Sequence, residues 1–95
     1  MVAKALFLGI DLGGTNTKIA LVDKDGHVLE RSVIPTRAMR KAEEVIEDIA
    51  EEALELCRRF EERGFKVWAA GIGIPGLFNW QTGVCHLLPN FPNKW

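Results

Sequence analysis

The chain has 95 residues, of which 47% are apolar and 26% are charged, a composition typical of one soluble folded unit. Its 12 basic and 13 acidic residues give a net charge of -1. That balance does not favour binding to nucleic acid or to an anionic membrane, so any phosphate group has to be bound by a local arrangement of residues.

Cysteine usage and the first apolar run bear on where the protein works. Cys57 and Cys85 lie far apart and lack paired spacing, which argues against a disulfide scaffold or a CxxC metal site. We therefore expect a reducing, cytoplasmic location. The apolar run Ala5–Ile10 is short and is followed at once by Asp11, so we expect neither a signal peptide nor a membrane span.

Apolar runs and turn residues predict the order β-β-β-α-β. We expect the first two strands to pair antiparallel, and Asp25-Gly26 predicts a hairpin between the second and third. The first strand is expected to be buried on both faces, and the strand after the helix to lie parallel to an earlier one. The predicted elements are strands Lys4–Ile10, Lys18–Asp23, His27–Ile34 and Phe65–Ile74, a helix Lys41–Arg63, and a small hairpin within Leu77–Leu88.

The predicted helix is amphipathic, because its apolar residues recur at spacings of three and four. Acidic residues near its start, basic residues near its end and Gly64 after it support these boundaries. The acidic face fits a solvated helix surface better than a cation site, and Cys57 is expected to be an inert core residue.

The stretch Gly9–Lys18 places a carboxylate, two glycines and hydroxyl groups at one chain reversal between two apolar runs. Successive free N–H groups in such a turn form an anion-binding concavity, and glycine permits positive φ and close approach of a ligand. Asp11 would hold a cation or water, because two anions need a cation between them. The alternative is a plain β-hairpin in which Gly13-Gly14 only make the turn.

The segment Gly71–Gly76 contains a literal GxGxxG, but we do not interpret it as a dinucleotide-binding motif. That motif needs a helix opening at its third glycine and an acidic residue about 20 positions later. Here Pro75 lies inside the segment, and the residues after it are typical of a hairpin. The segment can still bring its backbone close to a small polar ligand, although a purely structural loop has the same composition.

Several motifs taken together resemble the ROK family (repressors, open reading frames and sugar kinases). They are Asp11-Leu-Gly-Gly-Thr15, Gly71-Ile-Gly-Ile-Pro-Gly76, Thr82-Gly83-Val84, Leu88-Pro-Asn90 and the final Trp95. The resemblance covers nearly the whole chain. It implies an α/β fold, the ribonuclease H-like N-terminal domain of an actin-like ATPase, of which residues 1–95 are an incomplete part. It also implies an ATP-dependent sugar kinase, with ATP, Mg²⁺ and a hexose as ligands.

The resemblance further implies roles for individual residues. Asp11 would lie near Mg²⁺ and bind it through water. The residues implied to bind the ATP phosphates are Asp11, Gly13, Gly14, Thr15, Asn16 and Lys18, and those implied to bind the sugar are Gly73, Pro75, Gly76, Pro89 and Asn90. Many members carry Lys where this chain has Asn16, so Lys18 either substitutes for that lysine or faces solvent.

Two parts of the family pattern are missing. The catalytic Asp of an Asn-Asp pair comes later than Trp95 in the family, so no catalytic residue is expected within this chain. The cysteine-rich zinc motif also comes later, so structural Zn²⁺ is expected only there, and we assign no zinc to Cys57, Cys85, His27 or His86. Asp23 and Asp25 are explained by turn chemistry.

We therefore expect the chain to be the N-terminal part of a glucokinase- or hexokinase-like protein, inactive alone and homo-oligomeric at full length. Only ten residues precede Asp11, which disfavours a DNA-binding segment of the repressor branch. Three alternatives stay open: a non-catalytic nucleotide- or sugar-binding module, the sugar-sensing domain of a repressor, and an assembly piece with an unpaired sheet edge.

Overall fold

A computed structural model of the chain describes residues 2–74, 77–78, 81–82 and 85–87. Its elements are β1 (Lys4–Leu12), β2 (Asn16–Val22), β3 (Val28–Pro35), α1 (Ala42–Glu61), β4 (Phe65–Gly73), β5 (Leu77–Phe78) and β6 (Cys85–Leu87). The predicted β-β-β-α-β order is confirmed. The small hairpin is confirmed as the antiparallel pair β5 and β6.

The first four strands form one mixed sheet in the order β3-β2-β1-β4. The hairpin around Asp25-Gly26 is confirmed: β2 and β3 are antiparallel, and Gly26 has a φ of 87°, which glycine adopts without steric cost. β1 is antiparallel to β2 and parallel to β4, also as predicted. Helix α1 is the crossover connection from β3 to β4, and it lets β4 run parallel to β1.

Helix α1 is slightly shorter than predicted at both ends. Glu43 and Glu44 in its first turn and Arg58 and Arg59 in its last turn complement the helix dipole. Gly64, with a φ of 91°, follows the end of the helix, and its carbonyl accepts a 2.9 Å hydrogen bond from the N–H of Lys4. The glycine therefore reverses the chain and starts β4 beside β1.

The core lies between α1 and one face of the sheet. Leu6, Ile19 and Leu21 from the sheet and Val45 and Leu56 from the helix are at most 1% exposed. The side chains of β1 that point the other way are half-buried or exposed. The prediction that the first strand is buried on both faces is therefore wrong for the described residues, because the one helix covers only one face.

Two strand boundaries near the glycine turn also differ from the prediction. β1 continues past Asp11 to Leu12, and β2 begins at Asn16 instead of Lys18. The turn is therefore only three residues long, and Asp11, Asn16 and Lys18 are held by strand pairing. In the described part of the chain, no helix is both long and apolar enough to cross a bilayer.

Candidate functional site

Three neighbouring strands bring the two predicted motifs together. Asp11 of β1 lies opposite Lys18 of β2 and opposite Gly73 of β4. A Cβ built on Gly73 would lie 3.9 Å from Oδ1 of Asp11, so the carboxylate sits beside the glycine. Directly opposed residues in neighbouring strands point to the same face, which places Asp11 and Lys18 on the face that α1 leaves uncovered.

The Asp11 carboxylate is open to a ligand. Asp11 and Lys18 are both exposed, and no ion pair joins them or engages Asp11 elsewhere among the residues that the structure describes. The burial of β2 alternates, with Asn16 and Lys18 exposed and Thr17 buried between them. Lys18 therefore shares a face with Asn16, as alternation predicts. Its contact with phosphate stays a prediction.

The turn between β1 and β2 is tight. The N–H of Gly13 donates a 3.1 Å hydrogen bond to the carbonyl of Asn16, and a Cβ on Gly13 would collide with that same carbonyl oxygen. Neither Gly13 nor Gly14 has a positive φ. Close packing in the turn, not backbone handedness, is therefore what requires glycine at position 13.

In this turn two backbone carbonyls have hydrogen-bond partners, whereas two backbone N–H groups do not within the described chain. The carbonyl of Gly13 accepts a 2.7 Å hydrogen bond from the Thr36 hydroxyl, and the carbonyl of Thr15 accepts one of 2.9 Å from the Thr36 N–H. In contrast, the N–H groups of Gly14 and Thr15 have no acceptor within the described chain. Gly14 is half-buried and Thr15 is exposed, so these donors lie at the tip of the turn. Such an arrangement suits an anion.

Thr36 and Thr17 are site residues that the sequence analysis did not single out. They are 1% and 0% exposed, and their hydroxyl oxygens lie 2.8 Å apart. Their position at the site depends on the register of the β2–β3 hairpin, which carries Thr36 alongside Thr15. Thr17 was counted only as part of the glycine turn.

The predicted sugar-side residues are only partly within the described chain. Gly73 is the last residue of β4 and lies beside Asp11, as described above. Pro75, Gly76, Pro89 and Asn90 lie outside the described residues. The segment after Gly76 is not helical at Leu77 and Phe78, which form strand β5, and this supports the rejection of a dinucleotide-binding motif.

Asp23, Asp25 and His27 place possible metal-ligand atoms within 4.8 Å of one another, but the Asp23 carboxylate is used within the turn. It accepts 2.9 Å hydrogen bonds from the N–H groups of Asp25 and His27, and Oδ2 lies 3.1 Å from Nδ1 of His27. These contacts, with the His27 N–H foremost, lower the pKa of Asp23. The turn chemistry predicted for this carboxylate is confirmed.

Cys57 belongs to the core, as predicted. It is 6% exposed and lies on the buried face of α1. Burial, helped by the nearby negative charge of Glu61, raises the pKa of the thiol, so it stays protonated near neutral pH. A protonated, buried thiol is a poor nucleophile and a poor metal ligand.

Comparison with known sequences gives the family. The ROK family matches residues 7–95. The chain is 36% identical over 90 residues to a glucokinase from Thermotoga maritima and 29% identical over 82 residues to an N-acetyl-D-glucosamine kinase from Haemophilus influenzae. These alignments cover 95% and 86% of this chain. The chain spans only 27% and 25% of the length of those two relatives.

Comparison with solved structures gives the fold. A ROK family glucokinase from Streptomyces griseus, solved in complex with glucose and AMPPNP, superposes with a TM-score of 0.68 at 28% identity. The superposition covers 92% of this chain and 26% of that one. The predicted fold class, the N-terminal β-β-β-α-β unit of an actin-like ATPase, is confirmed by this likeness.

Proposed function

This chain belongs to the ROK family, and on that basis we propose that it is the N-terminal part of an ATP-dependent sugar kinase. The protein would transfer the γ-phosphate of ATP to a hydroxyl of a hexose. Residues 1–95 would form a partial N-terminal domain. The observation that supports this proposal best is that the Asp11 carboxylate lies beside Gly73, on the strand that leads into the glycine turn, whose Gly14 and Thr15 N–H groups have no acceptor within the described chain.

The glycine turn would hold the phosphates of ATP. The N–H groups of Gly14 and Thr15 point to no protein acceptor in the described chain, so a phosphate oxygen can take that role. Gly13 and Asn16 shape the turn, and Lys18 carries a positive charge on the same face as Asp11. Phosphoryl transfer depends mainly on positioning and charge stabilisation, which is what such a set of donors provides.

The exposed Asp11 carboxylate fits a Mg²⁺ ion bound through water. An oxygen ligand of this kind is what Mg²⁺ takes in phosphate sites, where the ion usually keeps several of its waters. When bound, Mg²⁺ would neutralise charge on the phosphates and allow an anionic side chain to stand beside them. Asp11 would therefore position the metal and would not act as the catalytic base.

The sugar would lie on the Gly73 side of Asp11. Gly73 presents backbone without a side chain beside the carboxylate, so a polar ligand can approach the sheet surface where β1 and β4 end. We include Pro75, Gly76, Pro89 and Asn90 in this subsite from the family resemblance. A carboxylate must reach the sugar hydroxyl to accept its proton, and we propose that this base comes from beyond residue 95.

The test uses the full-length protein that contains this segment. ADP release is measured with MgATP and a panel of hexoses, for the unmodified protein and for the substitutions Asp11→Ala and Gly14→Val. We expect hexose-dependent ADP release that falls by about 100-fold or more in both variants. Asp11→Ala removes the carboxylate that would position Mg²⁺, and Gly14→Val adds a side chain where the phosphates would approach the turn.

Asp25→Ala is the matched control, because Asp25 is an exposed carboxylate in the other hairpin turn. It should keep the activity of the unmodified protein. Unchanged turnover in both Asp11→Ala and Gly14→Val would overturn the proposal. Tight MgATP binding without any phosphate transfer would point instead to a nucleotide-binding module.

The remaining expectations for the full-length protein stay predictions. They are a cytoplasmic location, a homo-oligomer that binds no nucleic acid, and structural Zn²⁺ confined to the part beyond Trp95. The hexose that the protein uses would be identified by the assay of ADP release with the hexose panel.

A further inference from the structure

We propose that Thr36 is a positioning residue for the phosphate-binding turn, and that Thr17 fixes the direction of its hydroxyl. The inference rests on the proposed function of the turn. Thr36 follows β3 and contacts the turn through both its side chain and its backbone, although it is 23 residues from Gly13 in sequence. It is buried and lies behind the turn, so it would act through the backbone and not touch the phosphate.

The hydrogen-bond geometry determines which hydroxyl donates. A carbonyl oxygen only accepts, so the 2.7 Å contact between Thr36 Oγ1 and the Gly13 carbonyl uses the single hydroxyl proton of Thr36. The 2.8 Å contact between the two threonines must then use the proton of Thr17. The result is a directed chain from Thr17 to Thr36 to Gly13. Valine has the shape of threonine and can supply neither proton.

These bonds also orient the turn's N–H groups. The peptide bonds are trans, so the C=O and N–H of one peptide unit point in opposite directions. With the Gly13 carbonyl turned toward Thr36, the Gly14 N–H is directed away from it. The Thr15 carbonyl is held in the same way by the Thr36 N–H, and this directs the Asn16 N–H away too.

Thr36 bonds to the carbonyl that, in a closed hairpin, accepts from the opposite strand. The Gly13 N–H donates to the Asn16 carbonyl, but the reciprocal bond, from the Asn16 N–H to the Gly13 carbonyl, is absent among the described residues. The Thr36 hydroxyl occupies that carbonyl instead. The Asn16 N–H therefore does not bond to its usual partner in a closed hairpin, and the Gly13 carbonyl is directed to Thr36.

Thr36 is itself held in place. Its carbonyl accepts a 3.0 Å hydrogen bond from Nη2 of Arg40, and the same nitrogen lies 2.8 Å from Oδ2 of Asp48 in α1. Arg37, the next residue, has a φ of 53°, an uncommon conformation for a residue other than glycine, asparagine or aspartate. The chain thus leaves β3 by a sharp bend that presents Thr36 to the turn and ties it to the helix.

The experiment compares Thr36→Val, Thr36→Ser and Thr17→Val in the full-length protein. For Thr36→Val we expect kcat/KM for MgATP to fall by about 10- to 100-fold, because the donors are displaced from the phosphate. Hexose affinity, measured by calorimetry without nucleotide, should stay unchanged. Thr36→Ser keeps the hydroxyl proton that bonds to the Gly13 carbonyl and should retain most of the activity. Thr17→Val should lie between the two, because Thr36 loses its fixed direction but keeps its bond to Gly13.

Ser32→Ala is the matched control for stability. The Ser32 hydroxyl also lies on β3 and bonds to the helix, 3.1 Å from Oε1 of Glu52, but it is remote from the turn. It should lower the urea midpoint of unfolding without lowering kcat/KM for MgATP. If Thr36→Val does not fold, Thr17→Val carries the comparison with Ser32→Ala.

The outcomes separate the two proposals. An unmodified protein that transfers phosphate, with kcat/KM for MgATP unchanged in Thr36→Val and Thr17→Val, overturns the positioning role and leaves the kinase proposal standing. Equal losses of MgATP and hexose affinity also overturn it, because they indicate a general structural defect. An unmodified protein with neither phosphate transfer nor MgATP binding overturns both.

Discussion

Asp23 shows how one carboxylate can be fully used by a turn. Its two oxygens take the N–H groups of Asp25 and His27 and contact the His27 ring. The hydrogen bonds favour the ionised form, which is why the pKa lies below its ordinary value of 3.8. The sequence predicted this role because Asp, a second Asp and Gly stand together between two apolar runs.

The lowered pKa of Asp23 predicts a dependence of stability on pH. A depressed folded-state pKa contributes stability above the ordinary value of 3.8, and this contribution is lost as pH falls through the folded-state pKa. The difference in urea midpoint between the unmodified protein and Asp23→Asn should therefore be present at neutral pH and should shrink below that value. Asp25→Asn, in the same turn, removes none of these acceptors and should show no such trend. A difference that grows on acidification would contradict this assignment.

The helix was the element most fully predicted by the sequence. Its period of three and four residues identified the buried face, because one stripe of a helix packs against a sheet and the other faces water. Its exact ends were missed by one or two residues. End positions depend on individual hydrogen bonds, such as that from the Glu62 N–H to the Arg58 carbonyl, which periodicity does not encode.

The same helix offers a matched pair of leucines. Leu56 is 1% exposed and Leu54 is 69% exposed. Leu56→Ala should lower the free energy of unfolding by about 2–5 kcal/mol, because it leaves a cavity against the sheet. Leu54→Ala should change it by less than about 0.5 kcal/mol, as expected at a surface position. Urea unfolding followed by circular dichroism measures both, and equal losses would show that the helix packs through a different face.

The register of β2 and β3 explains why the threonine pair was missed. Val22 pairs with Val28, but Leu21 pairs with Glu30, so Leu29 has no partner of its own. Without this bulge every residue beyond it would shift by one, and Thr36 would lie opposite Gly14 instead of Thr15. The turn residues Asp25-Gly26 predict a hairpin, but they do not predict the bulge at Leu29. The sequence motif thus located the candidate site. The contact of Thr36 with the turn depends on the bulge, which local sequence does not encode.

Taken as a whole, the described chain has two unlike sheet edges. β3 ends at Pro35 and carries Glu30 and Arg31, which discourage pairing with another strand. β4 is exposed along most of its length and presents Trp68 and Ile72, which are 67% and 54% exposed. Among the residues that the structure describes, β4 has a paired strand on one side only, so its other side offers unpaired backbone groups.

We therefore expect residues 1–95, when produced alone, to self-associate through β4. Ile72→Lys should reduce this association in analytical ultracentrifugation, because a charged side chain disfavours pairing at an edge. Val33→Lys is the matched control, since Val33 is 59% exposed on the opposite edge strand. Equal reduction by both substitutions would show that general surface hydrophobicity, and not the β4 edge, drives association.

The bond from Thr36 to Gly13 has a consequence for any attempt to transplant the turn. The ten residues from Gly9 to Lys18 can be recognised as a sequence motif, yet two of their carbonyls accept hydrogen bonds from Thr36, which follows β3. A graft of these ten residues onto another hairpin would transfer their sequence but not the carbonyl orientation that Thr36 imposes. The smallest portable unit is therefore the β1-β2-β3 meander through Thr36, with a substitute for the Arg40–Asp48 anchor.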